Sequence, residues 1–244
     1  MLKTFKPGSL LSFYNLKYFN KENKATHNFG LWNGLKVSVN KNAGDLTTLF
    51  EIFINGDYDF KGDPNMSYNI LDIGANVGYF SLYISKRFPK ANIFSFEPFT
   101  ETFDRLTENV NLNNTTNVKA YQLAVSDFNG TSKFYSLDWA GCNTLVQGKF
   151  DEGHYKTTTV NCVSFDDIFS LTGVNEFMFG KIDCEGSEYQ IFLNSKDESI
   201  HAVKNYIIEV HNDDKFTKQD LVTRFKNLGY SVKDRENLLE ANLL

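Results

Sequence analysis

Cysteine and proline are scarce in this chain. Its 244 residues include three cysteines, Cys142, Cys162 and Cys184, and four prolines, Pro7, Pro64, Pro89 and Pro98. Three scattered cysteines without a CxxC pair make neither a disulfide framework nor a zinc or redox motif. They read as buried free thiols of a reducing compartment. No apolar run approaches the ~20 residues that a membrane helix needs. The stretch from Met1 to Gly8 has lysines but no apolar core after it, so a secretory leader is not expected. Positive charge is not in excess either: 30 acidic residues stand against 25 basic ones, a net charge of −5. Polyanions are bound by clustered Lys and Arg, so nucleic acid is not expected as a partner. What remains is a soluble, cytoplasmic globule rich in phenylalanine. At this length it buries roughly 70–75% of its unfolded surface and needs no disulfide or structural metal to fold.

Turn residues at Gly62-Asp-Pro-Asn65 divide the chain. Residues 1–64 read as a cap packed on the rest of the chain. Within it, Leu31–Val39 is a strand region broken at Asn33-Gly34. Asp45 is placed to cap a short helix that carries Leu46, Leu49, Phe50 and Phe53 on one face. Residues 65–244 alternate short apolar strands with amphipathic helices. Strands are expected at Asn69–Ile73, Asn92–Glu97, Val118–Ala124, Phe177–Asp183 and Tyr206–Val210. Helices are expected at Gly78–Phe88, stopped by Pro89, from Thr100 as cap, at Gly186–Asn194 and at Lys218–Leu228. This alternation predicts an α/β fold, a mostly parallel sheet with helices on both faces. Between about residues 130 and 163 the pattern turns β-rich, which reads as an insertion beside the site.

The most informative stretch is Leu71-Asp-Ile-Gly-Ala-Asn-Val-Gly78, a strand running into a glycine turn that opens a helix. Gly74 permits the tight turn, and Gly78 a close helix–strand approach. Glu97 ends the next strand, where Rossmann-like folds place the acid that binds ribose hydroxyls. Asn76 replaces the middle glycine of the dinucleotide fingerprint, and Asp72 adds negative charge. Both features disfavour a pyrophosphate and suit S-adenosylmethionine, whose ammonium group wants a carboxylate. Asp72, Gly74, Ala75, Asn76 and Gly78 are the expected contacts to the methionine part, and Glu97 to the ribose.

Five motifs together, Asp72-Ile-Gly-Ala-Asn-Val-Gly78, Phe96-Glu-Pro98, Ala124-Val-Ser-Asp127, Lys181-Ile-Asp-Cys-Glu-Gly-Ser-Glu188 and Ile208-Glu-Val-His211, resemble FkbM-type methyltransferases in order and spacing. The resemblance runs from about Leu46 to Tyr230. It implies a class I methyltransferase fold, Rossmann-like and doubly wound, with a mostly parallel seven-stranded sheet and an N-terminal cap. It also implies O-methylation of a sugar, glycan or secondary metabolite. Cys184 stands where the family often has a small or aliphatic residue. Val125 and Ser126 fall where class I methyltransferases contact adenine.

The strand ends hold the remaining candidates. Period-2 alternation puts Lys181 and Asp183 on one face of a central strand, where charge is costly unless paired or used. Glu185 and Glu188 follow in a first helical turn, where capping is an equally good reading. Glu209 and His211 share one strand face. Transfer of a methyl group to an alcohol requires removal of the hydroxyl proton, and a histidine near its usual pKa of ~6.5 suits that task. Asp183 is the rival base. Asp183, Glu209 and His211 could also ligate a Mg²⁺-like ion, a reading not favoured here. Glu185, Tyr58 and Trp139 are candidate contacts to the acceptor. The four prolines form no pair, and Cys184 follows Asp rather than Pro. The motifs of DNA amino and cytosine-C5 methyltransferases are therefore both absent, which leaves oxygen acceptors. The competing functional readings are a nucleotide-dependent oxidoreductase and a catalytically silent binding domain.

Overall fold

The computed structural model describes residues 26–40, 44–136, 143–144 and 156–244. It opens with the hairpin β1 (Thr26–Gly30) and β2 (Lys36–Asn40), paired antiparallel. Leu31–Leu35 is its turn rather than a strand start: Gly34 takes φ 90°, and the Asn33 side chain accepts from the Leu35 N–H at 3.1 Å. Helix α1 (Asp45–Phe50) runs directly into a π-helical turn over Glu51–Asn55. Gly44, not Asp45, is its N-cap. The Asp45 carboxylate is buried, accepts from the Asn40 N–H at 2.6 Å and pairs with Arg105, so it ties this segment to Arg105 instead of capping the helix. Gly56, at φ 71°, stops the π turn.

The core then follows in chain order. β3 is Asn69–Ile73, α2 Tyr79–Arg87, β4 Asn92–Phe96, α3 Thr100–Leu112 and β5 Val118–Tyr121. Thr100 lies inside α3 and does not cap it. The strand expected to reach Ala124 ends at Tyr121. β6 (Ala124–Ser126) leaves for a second sheet with β7 (Gly130–Ser136), β8 (Asn143–Thr144) and β9 (Lys156–Ser164), in the order β6-β9-β7-β8. Then come α4 (Ile168–Thr172), β10 (Phe179–Ile182), α5 (Glu188–Asn194), α6 (Asp197–His201), β11 (Asn205–Glu209) and α7 (Lys218–Asn227). The hairpin β12 (Tyr230–Arg235) and β13 (Leu238–Leu243) closes the fold.

The main sheet has seven strands in the order β12-β13-β11-β10-β3-β4-β5. β11, β10, β3, β4 and β5 pair in parallel, and β13 is antiparallel to both its neighbours. The order reverses between β3 and β10. In open α/β sheets that crevice, outside the carboxyl ends of the strands, is where ligands bind. This is the doubly wound arrangement of class I methyltransferases.

Alternation divides the strand residues between two cores. Leu71, Ile73, Phe94, Phe96, Ile182 and Ile208 pack with α5 and α7. Ile70, Ile93, Phe179 and Ile207 pack with α2 and the β1–β2 hairpin. Both cores are dense in aromatic rings, as the phenylalanine content foreshadows: Phe192, for example, meets Tyr206 and Phe225 edge-on at 5.3 and 4.9 Å. Among the described residues no helix is long and apolar enough to cross a membrane.

Candidate active site

The register of the central strands places Ser95, Asp72 and Lys181 side by side. All three are buried on the face that α2 covers. Burying ions is costly unless they are paired and hydrogen-bonded. Ser81 of α2 donates to Asp72 Oδ2 at 2.5 Å and lies 2.7 Å from the Ser95 hydroxyl. Lys181 Nζ lies 3.6 Å from Asp72 Oδ1, an oxygen with no hydrogen-bond partner. The same ammonium donates to the Gly74 carbonyl at 2.7 Å and pairs with Asp183 at 3.2 Å. Burial alone would drive Lys181 neutral, but Asp183 and Asp72 outweigh it and keep the ammonium charged. Burial raises the pKa of Asp72, with Lys181 and Ser81 opposing. Asp72 therefore lies fully buried beneath the glycine turn and is not among the residues that line the cleft.

Gly74 has φ 72°, and a Cβ there would fall 1.7 Å from the Asp183 carbonyl oxygen. Only glycine lets the β3 turn lie against the end of β10. Asn76 also takes a left-handed conformation, at φ 50°, which asparagine tolerates better than most residues. The Gly74 and Ala75 N–H groups both donate to the Phe96 carbonyl, at 3.0 and 2.9 Å. Gly78 serves a helix–helix contact instead of a helix–strand one: its Cβ would meet Leu106 of α3 at 3.0 Å. Ala75 and Gly78 thus shape the turn without lining the cleft.

The cleft itself is lined by Gly74, Asn76, Glu97, Thr102, Asp183 and Glu185, with Leu123, Val125 and Phe134 among its apolar residues. Glu97 Oε2 accepts from the Asn76 N–H at 2.9 Å, and Oε1 from the Phe99 N–H at 3.0 Å and the Thr102 hydroxyl at 2.6 Å. Burial nevertheless raises the pKa of Glu97 above the usual carboxylate value. Val125 lines the cleft, whereas the Ser126 hydroxyl is turned to Asp127 at 3.2 Å. Cys184 borders the cleft and is only half-buried, unlike Cys162. Trp139 and Cys142 lie outside the described residues.

At the end of β11, Glu209 and His211, expected on one face, find different partners. Glu209 accepts from the Tyr58 hydroxyl and, through Oε1, from Asn237 Nδ2 at 2.8 Å. The Tyr58 ring lies 5.4 Å from Lys181 Nζ, so Tyr58 joins Glu209 to the buried ion row. His211 instead faces α5, with Nδ1 2.5 Å from Glu188 Oε1 and Nε2 3.5 Å from Glu185 Oε2. Burial would lower its pKa, but the Glu188 hydrogen bond and the charges of Glu188, Glu185 and Asp183 win and raise it to about 9. The raised pKa favours the imidazolium, the form without the free lone pair that a base needs. Glu185 sits in the turn before α5 at φ 55°, and Glu188 is the first residue of that helix and fully buried. Asp183, Glu185 and His211 bring one ligand atom each within 4.8 Å of one another. Glu185 therefore stands where the sequence reading of a cation site had Glu209.

Sequence reasoning missed Glu51. It lines a second cavity with Tyr58, Glu209, Asn237 and the turn between β12 and β13. Burial first, then the charges of Glu209 and Asp183, push its pKa up to about 7. Its one readable signal is an acid inside the apolar run Leu49-Phe-Glu-Ile-Phe53, which a solvated helix face explains equally well.

The sequence matches the methyltransferase FkbM domain over residues 72–232. The chain belongs to the FkbM methyltransferase family. The matched span runs from Asp72, beneath the glycine turn, to β12, and so takes in the whole of the cleft. Methyltransferase 1 of Beauveria bassiana is 26% identical over 200 residues, spanning 75% of this chain and 79% of that protein. Methyltransferase sdnD of Sordaria araneosa is 30% identical over 187 residues, spanning 65% and 72%. The hexuronic acid methyltransferase AglP of Haloferax volcanii is 31% identical over 140 residues, spanning 57% and 54%.

Proposed function

We propose that this methyltransferase moves a methyl group from S-adenosylmethionine to a hydroxyl oxygen of a sugar, glycan or secondary metabolite. The observation that carries the reading is the chemistry of the cleft. Its described lining includes Glu97, Asp183 and Glu185 and neither Lys nor Arg. A pyrophosphate would meet three carboxylates and no cation among the lining residues, whereas a donor with an ammonium and a sulfonium meets the charges it needs. When bound, S-adenosylmethionine supplies a methyl carbon on a positively charged sulfur and leaves as the neutral thioether S-adenosylhomocysteine.

The chain's own residues do the rest. Glu97 has lone pairs left to accept from a ribose diol, since each carboxylate oxygen accepts more than one bond. Leu123, Val125 and Phe134 flank an adenine ring, and the Gly74 turn sets the depth of the site. Asp183, held by Lys181, takes the hydroxyl proton as the acceptor oxygen forms its new bond to carbon, and returns that proton to solvent. Holding the two reactants in line supplies much of the rate. His211 keeps its own proton and anchors Glu185 and Glu188 around the cleft. The segment up to residue 64 acts as a cap that brings Glu51 and Tyr58 to the acceptor side. The likeness to a hexuronic acid methyltransferase supports a sugar among the acceptors.

Calorimetry with S-adenosylhomocysteine and with NAD tests the donor assignment. The wild type binds the first and not the second. Glu97→Gln weakens binding at least about tenfold, because a hydrogen bond to a charged group is worth ~1.5–3 kcal/mol. Equal affinity for NAD overturns the reading.

A further inference from the structure

The donor cleft runs across the strand ends in the order of the sheet. Val125 lines it beyond β5, Glu97 after β4, Asn76 after β3, and Asp183 and Glu185 after β10. Neighbouring strands lie about 4.8 Å apart, so these ends span roughly 14 Å. A donor with its adenine beside Val125 and its ribose on Glu97 extends its amino-acid tail toward the ends of β3 and β10. Those two ends touch, since the Gly74 turn lies against the Asp183 carbonyl. The tail carries an ammonium group, and this end of the cleft has an excess of negative charge. Four carboxylates, Asp72, Asp183, Glu185 and Glu188, stand against two cations, Lys181 and His211. The excess survives protonation of buried Asp72. Pairing among these groups is uneven. Lys181 lies nearer to Asp183, at 3.2 Å, than to Asp72, at 3.6 Å. His211 lies nearer to Glu188, at 2.5 Å, than to Glu185, at 3.5 Å. Asp72 and Glu188 are fully buried and do not line the cleft. Of the two acids that do, Asp183 is the closer partner of its cation and Glu185 the more distant partner of its own.

Resting on the donor reading above, we propose that Glu185 is the residue that takes the ammonium group of S-adenosylmethionine. This moves Glu185 from the acceptor to the donor, and it transfers the task expected of Asp72 to a carboxylate that lines the cleft. An alkylammonium has three N–H donors, and a hydrogen bond between ions is about twice as strong as one between neutral groups. At Asp183 the incoming ammonium meets Lys181 directly behind, and like charges repel. Behind Glu185 stands His211, whose charge the buried Glu188 offsets at closer range. The two acids after β10 then divide the work. Glu185 holds the donor's tail, and Asp183 faces the acceptor hydroxyl.

The test compares two ligands by calorimetry on the full chain: S-adenosylhomocysteine, and its deaminated analogue S-adenosyl-4-thiobutyrate, which lacks only the amino group. The wild type should bind the first at least about tenfold more tightly than the second. Glu185→Gln should weaken S-adenosylhomocysteine about tenfold or more and leave the analogue within about threefold, so that the preference collapses. Glu185→Gly is the second variant, because glycine accepts the φ of 55° at this position without strain. It should give the same pattern. Unchanged analogue binding also shows that each variant keeps a folded cleft. Equal loss of both ligands, an S-adenosylhomocysteine affinity that ignores both variants, or a preference that survives them and collapses in Asp183→Asn overturns the proposal. A wild type that binds both ligands equally overturns it alone. A wild type that binds neither overturns the donor reading and the proposal with it.

Discussion

The two halves of the sheet's carboxyl edge are built from different materials. The donor half is made largely by backbone. Gly74 lies against the Asp183 carbonyl, two turn N–H groups hold the Phe96 carbonyl, and the Asn76 and Phe99 N–H groups hold Glu97. The other half, beyond β11, is made by side chains from three distant segments: Glu51 and Tyr58 from the stretch before β3, Glu209 from β11, and Asn237 from the last hairpin. A subsite built from backbone is tied to the fold and changes little without breaking it. A subsite of side chains on separate segments can be altered one residue at a time, which is where acceptor preference can vary at low cost in stability. Lys181 belongs to both halves, bonding the Gly74 carbonyl and Asp183 on one side and lying against Tyr58 on the other.

The sharpest way to break the contrast is Gly74→Ala. The added carbon overlaps a backbone oxygen and the residue must keep a positive φ. We expect a loss of about 5 kcal/mol or more in urea denaturation, in the range reserved for specific structural failures. Lys181→Met should follow, at about 3–5 kcal/mol, because it strands buried Asp72 without its cation. Adding Asp72→Asn should recover part of that loss. Recovery measures the ion pair directly, and its absence would mean that the lysine acts through packing.

The third prediction concerns pH. The folded-state pKa of His211 is raised to about 9 from 6.5, so its stabilising proton is fully in place below 6.5 and is lost as pH rises through 9. Stability should therefore fall across that window, on the order of 2–3 kcal/mol, and His211→Asn should flatten the fall. Chemical denaturation at a series of pH values checks it. The smallest effect is expected from Tyr58→Phe, which removes one hydrogen bond to Glu209 at about 1 kcal/mol. It should lower acceptor turnover while leaving donor affinity unchanged, which separates the two halves.

The same division governs how much was legible in the sequence. The strand, turn and helix around Asp72–Gly78, and Glu97 at the end of the next strand, are local patterns whose spacing dictates their geometry. The orientation of Asp72 was not legible. Its burial under α2 follows from the register with Lys181 and Ser95, and register is a property of the assembled sheet. The strand written as Val118–Ala124 splits at Tyr121, because Ala124–Ser126 finds its partner 38 residues further on, in Cys162–Ser164. The charge state of His211 depends on Glu188, 23 residues upstream and brought close only when α5 packs beside the end of β11. Glu51 left little trace for the same reason: whether a polar helix position meets solvent or a strand end is decided by tertiary packing.

The central claim is transfer of a methyl group to oxygen at the junction of these halves. The most direct measurement gives the enzyme carbon-13 methyl-labelled S-adenosylmethionine together with a glycan and metabolite extract, and identifies the labelled product by NMR and mass spectrometry. The account predicts the label in a methyl ether on an oxygen, formed by the wild type and lost with Asp183→Asn while donor binding persists. Label on nitrogen or carbon, or undiminished transfer by Asp183→Asn, would contradict it.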